Sequence, residues 1–217
     1  MFYPIAKRTI DIVGASLALL LFSPVMLVVA VLNKLTNPGP IIVEKGNWHM
    51  QRMGKNGKIF RLLKFRSMMV SADRLEKTDP RFREVYIEKH TTGAYKPKND
   101  PRVTPLGKFI RKYSIDEMPQ LINVLKGDMS LVGPRPYLKD ELEEQQRKFP
   151  GTEKYVKGML TVKPGITGYW QVTGRSEVHF DKRVVMDAYY ARKKSIIFDV
   201  LIMLKTPWAM ITAKGAI

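Results

Sequence analysis

The chain has 217 residues, enough to bury a core in one domain or slightly more, and its 37 Lys+Arg against 20 Asp+Glu give a formal net charge of +17. It holds no cysteine and three scattered histidines, which excludes disulfides and thiolate metal sites and leaves hard, carboxylate-held cations as the fitting metals. The positive excess implies an anionic partner: nucleic acid, acidic lipid headgroups or phosphorylated substrates.

From Ile12 to Leu32 there is no charged residue, and Ser23-Pro24 sits near the middle of that run. A helix of this length can cross a hydrocarbon core about 30 Å thick. Pro24 lacks a backbone N–H and crowds the preceding turn, so the expectation is a helix-break-helix at Ser23-Pro24. The flanks are basic on both sides, Lys7 and Arg8 before and Lys34 after. If Lys and Arg stay cytoplasmic, both ends lie on one side and residues 1–36 form a re-entrant hairpin. A straight span is the alternative, and it would place Lys7 and Arg8 outside. A signal peptide fits less well, because the apolar run exceeds the usual length and no clear small-residue cleavage site follows.

Residues 37–217 read as one catalytic-type domain, α/β and mostly helical, beginning with a turn at Asn37-Pro38-Gly39-Pro40. Short strands are expected at 41–43 and 58–63 around a turn at Gly54-Lys55-Asn56-Gly57. Residues 67–90 are helix-permissive, and 93–105 is a Pro/Lys/Asn-rich loop in which Asp100 caps the backbone. Helices follow at 106–113 and 118–126, the second closed by Gly127, and at 139–148 and 181–193. Residues 161–174 read as a loop whose glycines allow close backbone approach to a ligand. Residues 196–212 suit an interfacial amphipathic helix, with a core helix as the alternative.

Asp116-Glu117 is the most suggestive acidic pair. Ser114-x-x-Glu117 also fits a capping box, where acids complement a helix dipole. The functional alternative is that an ionised Asp116 attacks phosphorus to form an acyl-phosphate, with Mg²⁺ and Arg111 screening the charge. Gly133-Pro134-Arg135-Pro136 presents an arginine on a stiff backbone, as a phosphate fork or as a plain turn. Lys64 and Arg66 alternate with apolar residues, as cations on one strand face would. Gln171 and Arg175 frame a glycine-bounded loop that can contact a nucleotide or sugar.

In this order the segments resemble the bacterial sugar transferase family, the monotopic polyprenyl-phosphate glycosyl-1-phosphate transferases. The resemblance rests on Lys7-Arg8-x-x-Asp11, Ser23-Pro24, Lys64-Phe65-Arg66-Ser67-Met68, Asn99-Asp100-Pro101-Arg102-Val103-Thr104 and Ser114-Ile115-Asp116-Glu117-Met118-Pro119-Gln120. It continues through Asn123–Pro136, Lys163–Gly168 and Gln171-Val172-x-Gly174-Arg175, and so covers essentially the whole chain. It implies transfer of a sugar-1-phosphate from a UDP-sugar to polyprenyl (undecaprenyl) phosphate, with UMP released and Mg²⁺ used. By the same resemblance Asp116 is the nucleophile and a metal ligand, and Glu117 its dyad partner, in a ping-pong mechanism. Lys64, Arg66, Arg111, Arg135, Gln171 and Arg175 are then the substrate-binding candidates. The tail resembles the galactose- or glucose-transferring branch, serving surface glycan or exopolysaccharide synthesis. The implied setting is the cytoplasmic face of a bacterial inner membrane, with membrane lipids as partners, no nucleic acid, and a homodimer left open. The competing class is a non-catalytic, basic, membrane-tethered module that binds acidic lipid or nucleic acid.

Overall fold

The computed structural model describes residues 2–43, 50–70, 72, 79–82, 100–174 and 178–211. The apolar run forms helix α1, Phe2–Thr36, 35 residues with Pro24 inside it. The expected break at Ser23-Pro24 is therefore not an interruption of the helix. Pro24 cannot donate to the carbonyl of Leu20, the acceptor four residues back. The Ser23 hydroxyl donates to that carbonyl instead, at 2.9 Å, so the dipeptide carries both the defect and its repair. No helix other than α1 is long and apolar enough to cross a membrane among the described residues.

Both ends of α1 dock on the same body. Near its start, Arg8 donates to the carbonyls of Val124 and Leu125 at 2.6 and 2.7 Å, and Asp11 accepts from the Ser130 hydroxyl and the Leu131 N–H. Near its end, Asn33 donates to the Arg66 carbonyl, Asn37 just beyond donates to that of Met68, and Val29 packs on Phe65 and Ile110. Between these anchors, Leu20 and Leu21 are 74% and 71% exposed, an apolar surface unusual for a protein in water.

Two small sheets follow. Strands β1, Gln51–Met53, and β2, Ile59–Arg61, pair antiparallel around a tight turn at Lys55–Gly57, as the glycine spacing predicts. The first strand is not 41–43, where Ile42 makes only an isolated bridge to Phe65. In the segment read as helix-permissive, Met68 bridges Val103 in extended geometry and Pro80–Phe82 form a single tight turn; residues 71, 73–78 and 83–90 lie outside the described residues. Asp100 caps its turn, accepting from the Arg102 N–H.

Helix α2, Pro105–Lys112, starts at Thr104, whose hydroxyl accepts from the Gly107 N–H. Helix α3, Gln120–Lys126, ends at Gly127 with φ 88°, the left-handed stop expected there. Strand β3, Ser130–Val132, pairs parallel with β4, Gly165–Thr167. Helices α4 (Lys139–Lys148) and α5 (Glu153–Met159) separate the two strands. The loop expected at 161–174 holds β4 and helix α6, Tyr169–Thr173. Two of its glycines lie against protein backbone: a Cβ on Gly165 or Gly168 would overlap the main chain of Gly133. Helices α7, Phe180–Lys193, and α8, Ile196–Ile211, close the body.

Ala15, Phe60, Leu62, Leu121, Val124 and Met129 form the core under α1, and Tyr137, Leu142, Val156, Met159, Phe180 and Val184 form a second between α4, α5 and α7. On α8, Asp199 and Ile202 are buried, whereas Ile197, Val200, Leu201, Leu204 and Trp208 form an exposed apolar stripe at helical spacing.

Candidate active site

The site is built where β2 runs on toward α2. Phe65 is buried and pins the strand to the turn before α3, because its N–H donates to the Asp116 carbonyl at 2.9 Å. This sets neighbouring Lys64 against the Ile115–Glu117 turn. Lys64 Nζ lies 2.8 Å from Asp116 Oδ2 and 3.1 Å from Glu117 Oε1, bridging the two carboxylates. Asp116 is 2% exposed. Burial pushes the Lys64 ammonium down, but Asp116 and Glu117 more than reverse this, and its pKa is raised. The capping-box alternative does not form: Ser114 sits at φ 57° and its side chain caps nothing. That left-handed residue ends α2 sharply and turns Asp116 inward.

Arg111, on the last turn of α2, donates from Nε to the Ser67 hydroxyl at 2.8 Å. Burial draws its pKa down, opposed by the nearby charges of Asp116 and Asp100. Asp100 is itself buried and grips Arg102 with both oxygens, at 2.8 Å from Nε and 2.5 Å from Nη2. Burial alone would raise Asp100, yet these Arg102 hydrogen bonds hold it below the usual carboxylate range.

Lys64, Arg111, Asp116 and Glu117 thus converge, as their candidacy requires. The other described candidates bond or stack on other partners. Arg66 turns away from Lys64 toward the end of α1, donating to Asn33 Oδ1 at 3.4 Å and to the Asn37 carbonyl. The shared cationic face is not formed, because Lys64 follows the carboxylates and Arg66 follows the helix end. Gln171 donates to the Ile166 carbonyl at 3.2 Å and braces β4. Arg135 stacks over Tyr137 and Trp170, with centroid distances of 5.7 and 5.8 Å. Arg175 lies outside the described residues. Ser67 was not a candidate; its only sequence signal is its place after Arg66, and its role depends on a partner 44 residues away.

No group of three or more His, Cys, Asp or Glu converges among the described residues, so a metal cage made by protein alone does not form there. The Asp116-Glu117 pair does fit Mg²⁺, which takes one or two carboxylates and completes its octahedron with water and substrate phosphate. A carboxylate pair with Asp116 buried and Glu117 part-exposed, neutralised by Lys64 and backed by Arg111, suits phosphoryl chemistry on a polyanion.

The model of the bacterial sugar transferase family matches residues 2–213, a span containing all of these elements. The chain belongs to the bacterial sugar transferase family. Among its relatives, the undecaprenyl-phosphate galactose phosphotransferase of Salmonella typhimurium is 42% identical over 97% of this chain and 41% of its own length. The exopolysaccharide production protein ExoY of Rhizobium meliloti is 40% identical over 97% of this chain and 88% of its own. The UDP-glucose:undecaprenyl-phosphate glucose-1-phosphate transferase of Escherichia coli is 40% identical over 97% and 41%. This bacterial sugar transferase therefore spans less than half the length of two of these relatives.

Proposed function

We propose that this chain transfers a hexose-1-phosphate, galactose or glucose, from a UDP-sugar to undecaprenyl phosphate and releases UMP. One observation carries this reading: Lys64 bridges Asp116 and Glu117 while Arg111 stands against the same pair. Cations beside a carboxylate lessen the repulsion an anionic phosphate meets on approach, which suits Asp116 to act as a nucleophile. In the first step an Asp116 oxygen bonds to the sugar-linked phosphorus. The phosphorus–oxygen bond to the nucleoside phosphate breaks, and UMP leaves with the bridging oxygen. In the second step an oxygen of the lipid phosphate bonds to the same phosphorus, the aspartyl–phosphorus bond breaks, and the carboxylate is restored. Lys64 and Arg111 neutralise charge on the non-bridging oxygens, and Arg135 grips a phosphate of the nucleotide sugar. Mg²⁺, held by Asp116 and Glu117 with substrate oxygens, would screen the carboxylates from the diphosphate.

The setting proposed is monotopic, on the cytoplasmic face of the bacterial inner membrane. Attachment of both α1 ends to one body supports it, because a straight helix of that length would run about 52 Å and carry its ends apart. The exposed stripe on α8 then lies in the membrane interface. Cysteines introduced at Tyr3 and Asn37 label from the same side of oriented vesicles; opposite sides would refute the re-entrant geometry.

The chemistry is tested by incubating detergent-solubilised protein with Mg²⁺, a panel of UDP-sugars and undecaprenyl phosphate. UMP release from at least one sugar, lost in folded Asp116→Asn, is expected. Folded protein that releases no UMP from any sugar refutes the transferase reading. Radiolabelled phosphosugar retained on the protein without acceptor tests the covalent step, and its absence refutes ping-pong transfer. A non-catalytic basic module would bind acidic lipid regardless of Asp116→Asn and weaken smoothly with salt.

A further inference from the structure

A second polar cluster lies in the body, outside the Lys64–Asp116–Glu117 contacts. At its centre is Asp187 on α7, 0% exposed, among the other buried residues of that helix, Phe180, Val184, Tyr190 and Ala191. A buried carboxylate on an apolar stripe is costly unless something specific holds it. Its Oδ2 accepts from the main-chain N–H of Arg135 at 3.2 Å, while Oδ1 has no hydrogen-bond partner among the described residues. Pro134 and Pro136 have no N–H, so the Arg135 N–H is the one main-chain donor in Pro134-Arg135-Pro136, and Asp187 takes it.

The same stretch is fixed from the other side by β4. Gly133 donates to the Thr167 carbonyl and Gly165 donates to that of Pro134, both at 2.9 Å. The Arg135 backbone is thus clamped between a strand and a carboxylate. Its guanidinium lies over Tyr137 and Trp170, and Arg183, also on α7, covers Trp170 at 4.5 Å. Arg183 is itself tethered through Nη2 to the Val178 carbonyl at 2.9 Å. The prolines make the loop stiff, the strand sets its height, and Asp187 sets its rotation.

We propose that Asp187 is a positioning residue, which fixes the backbone and charge of Arg135 so that the guanidinium is presented to the phosphate of the nucleotide sugar. This rests on the proposed role of Arg135 in the transferase reaction. The electrostatics give the device a pH dependence. Burial raises Asp187 to about 7, against the Arg135 N–H bond and the Arg183 and Arg135 charges, which pull it down. Among the elements packed on α7, α6 brings Trp170, and α5 brings Val156 and Met159 while its Glu153, Lys154 and Lys157 are exposed. The buried Tyr137 hydroxyl has its own pKa raised by burial and by Asp187, so it stays neutral through the same range. Below pH 7, then, Asp187 loses the charge that balances the two arginines.

The test uses the full chain in detergent, with UDP titrated by calorimetry at pH 8 and KM and kcat for a UDP-sugar taken from pH 6 to 8. Asp187→Ala should weaken UDP about tenfold and raise KM by a similar factor with kcat little changed, the effect of one lost charge-assisted hydrogen bond. Asp187→Asn keeps an acceptor for the Arg135 N–H and should stay within about threefold at pH 8. Wild-type KM should rise as pH falls through about 7, and Asp187→Asn should flatten that profile. The sugar diphosphate has no group titrating in this window, so the slope belongs to the protein. A folded Asp187→Ala with wild-type UDP affinity overturns the inference. So does an Asp187→Asn profile that keeps the wild-type slope, a result obtainable even if the alanine variant does not fold. Wild-type protein that is folded yet neither binds UDP nor releases UMP overturns the transferase reading instead.

Discussion

Replacing Lys64 by methionine keeps most of the side-chain volume and removes the charge that bridges Asp116 and Glu117. At 2.8 Å from Asp116 Oδ2, with an effective dielectric near 20, the gross attraction is about 6 kcal/mol. The Glu117 carboxylate is 35% exposed, so that leg contributes under about 1 kcal/mol. Desolvation offsets part of the Asp116 leg, but a buried carboxylate robbed of its partner leaves a net loss of about 3–5 kcal/mol. For a chain of this size that lowers the melting temperature by roughly 10 °C. The assay is thermal unfolding in detergent, followed by tryptophan fluorescence, for Lys64→Met, Asp116→Asn and the double variant. Removing both charges should recover part of the loss, with a coupling energy of at least about 2 kcal/mol. Because Lys64 is raised when folded, its contribution holds below the unfolded value of 10.5 and fades only as pH rises through the higher folded one. The coupling should therefore be the same at pH 7 and pH 9. A single variant within about 0.5 kcal/mol of wild type, or strictly additive effects, refutes the bridge as a buried pair.

Asp187 makes the opposite prediction with pH. Its folded value of about 7 exceeds the ordinary 3.8, so the folded state holds its proton longer and stability falls as pH rises between the two. The penalty is on the order of 4 kcal/mol by pH 8, and Asp187→Asn should flatten this part of the stability–pH curve in urea titrations. Gly107→Ala should cost more than about 2 kcal/mol, because the added Cβ would overlap the Ser67 carbonyl, and UMP release should fall as Ser67 shifts under Arg111. Ser23→Ala leaves the Leu20 carbonyl without its substitute donor and should lower thermal stability in detergent by about 1 kcal/mol, whereas Ser23→Thr should restore it.

Local grammar made several elements legible. Gly127 stops α3, the Gly54–Gly57 spacing closes β1 on β2, and residues 139–148 form a helix with the predicted ends. The Asp116-Glu117 pair was legible as chemistry, but Lys64, 52 residues earlier than Asp116, reads only as a substrate-binding candidate and not as its partner. What stayed hidden was the choice among distant partners. Lys64 and Arg66 look equivalent in sequence, yet one faces the carboxylates and the other the end of α1. The glycines of 161–174 signal close approach without saying to what, and for Gly165 and Gly168 the neighbour is Gly133. Asp187 left a trace that passed unused: a lone acid between Val184 and Ala191 on an otherwise apolar helix face. Ser114-x-x-Glu117 left capping and chemistry both open, and the sequence does not show that Ser114 takes the left-handed conformation in which its side chain caps nothing.

The attachment of α1 has a consequence for the order of assembly. The Tyr3 hydroxyl donates to Asp199 Oδ2, 196 residues later, and Lys7 Nζ lies 3.3 Å from the same oxygen. At about 5–20 residues per second, a ribosome makes Asp199 roughly 10–40 s after Tyr3. Throughout that interval the apolar helix lacks its C-terminal latch. The first residues of α1 thus gain their bonds to Asp199 only after almost 200 further residues are made, whereas Arg8 and Asp11 can dock on α3 and β3 well before.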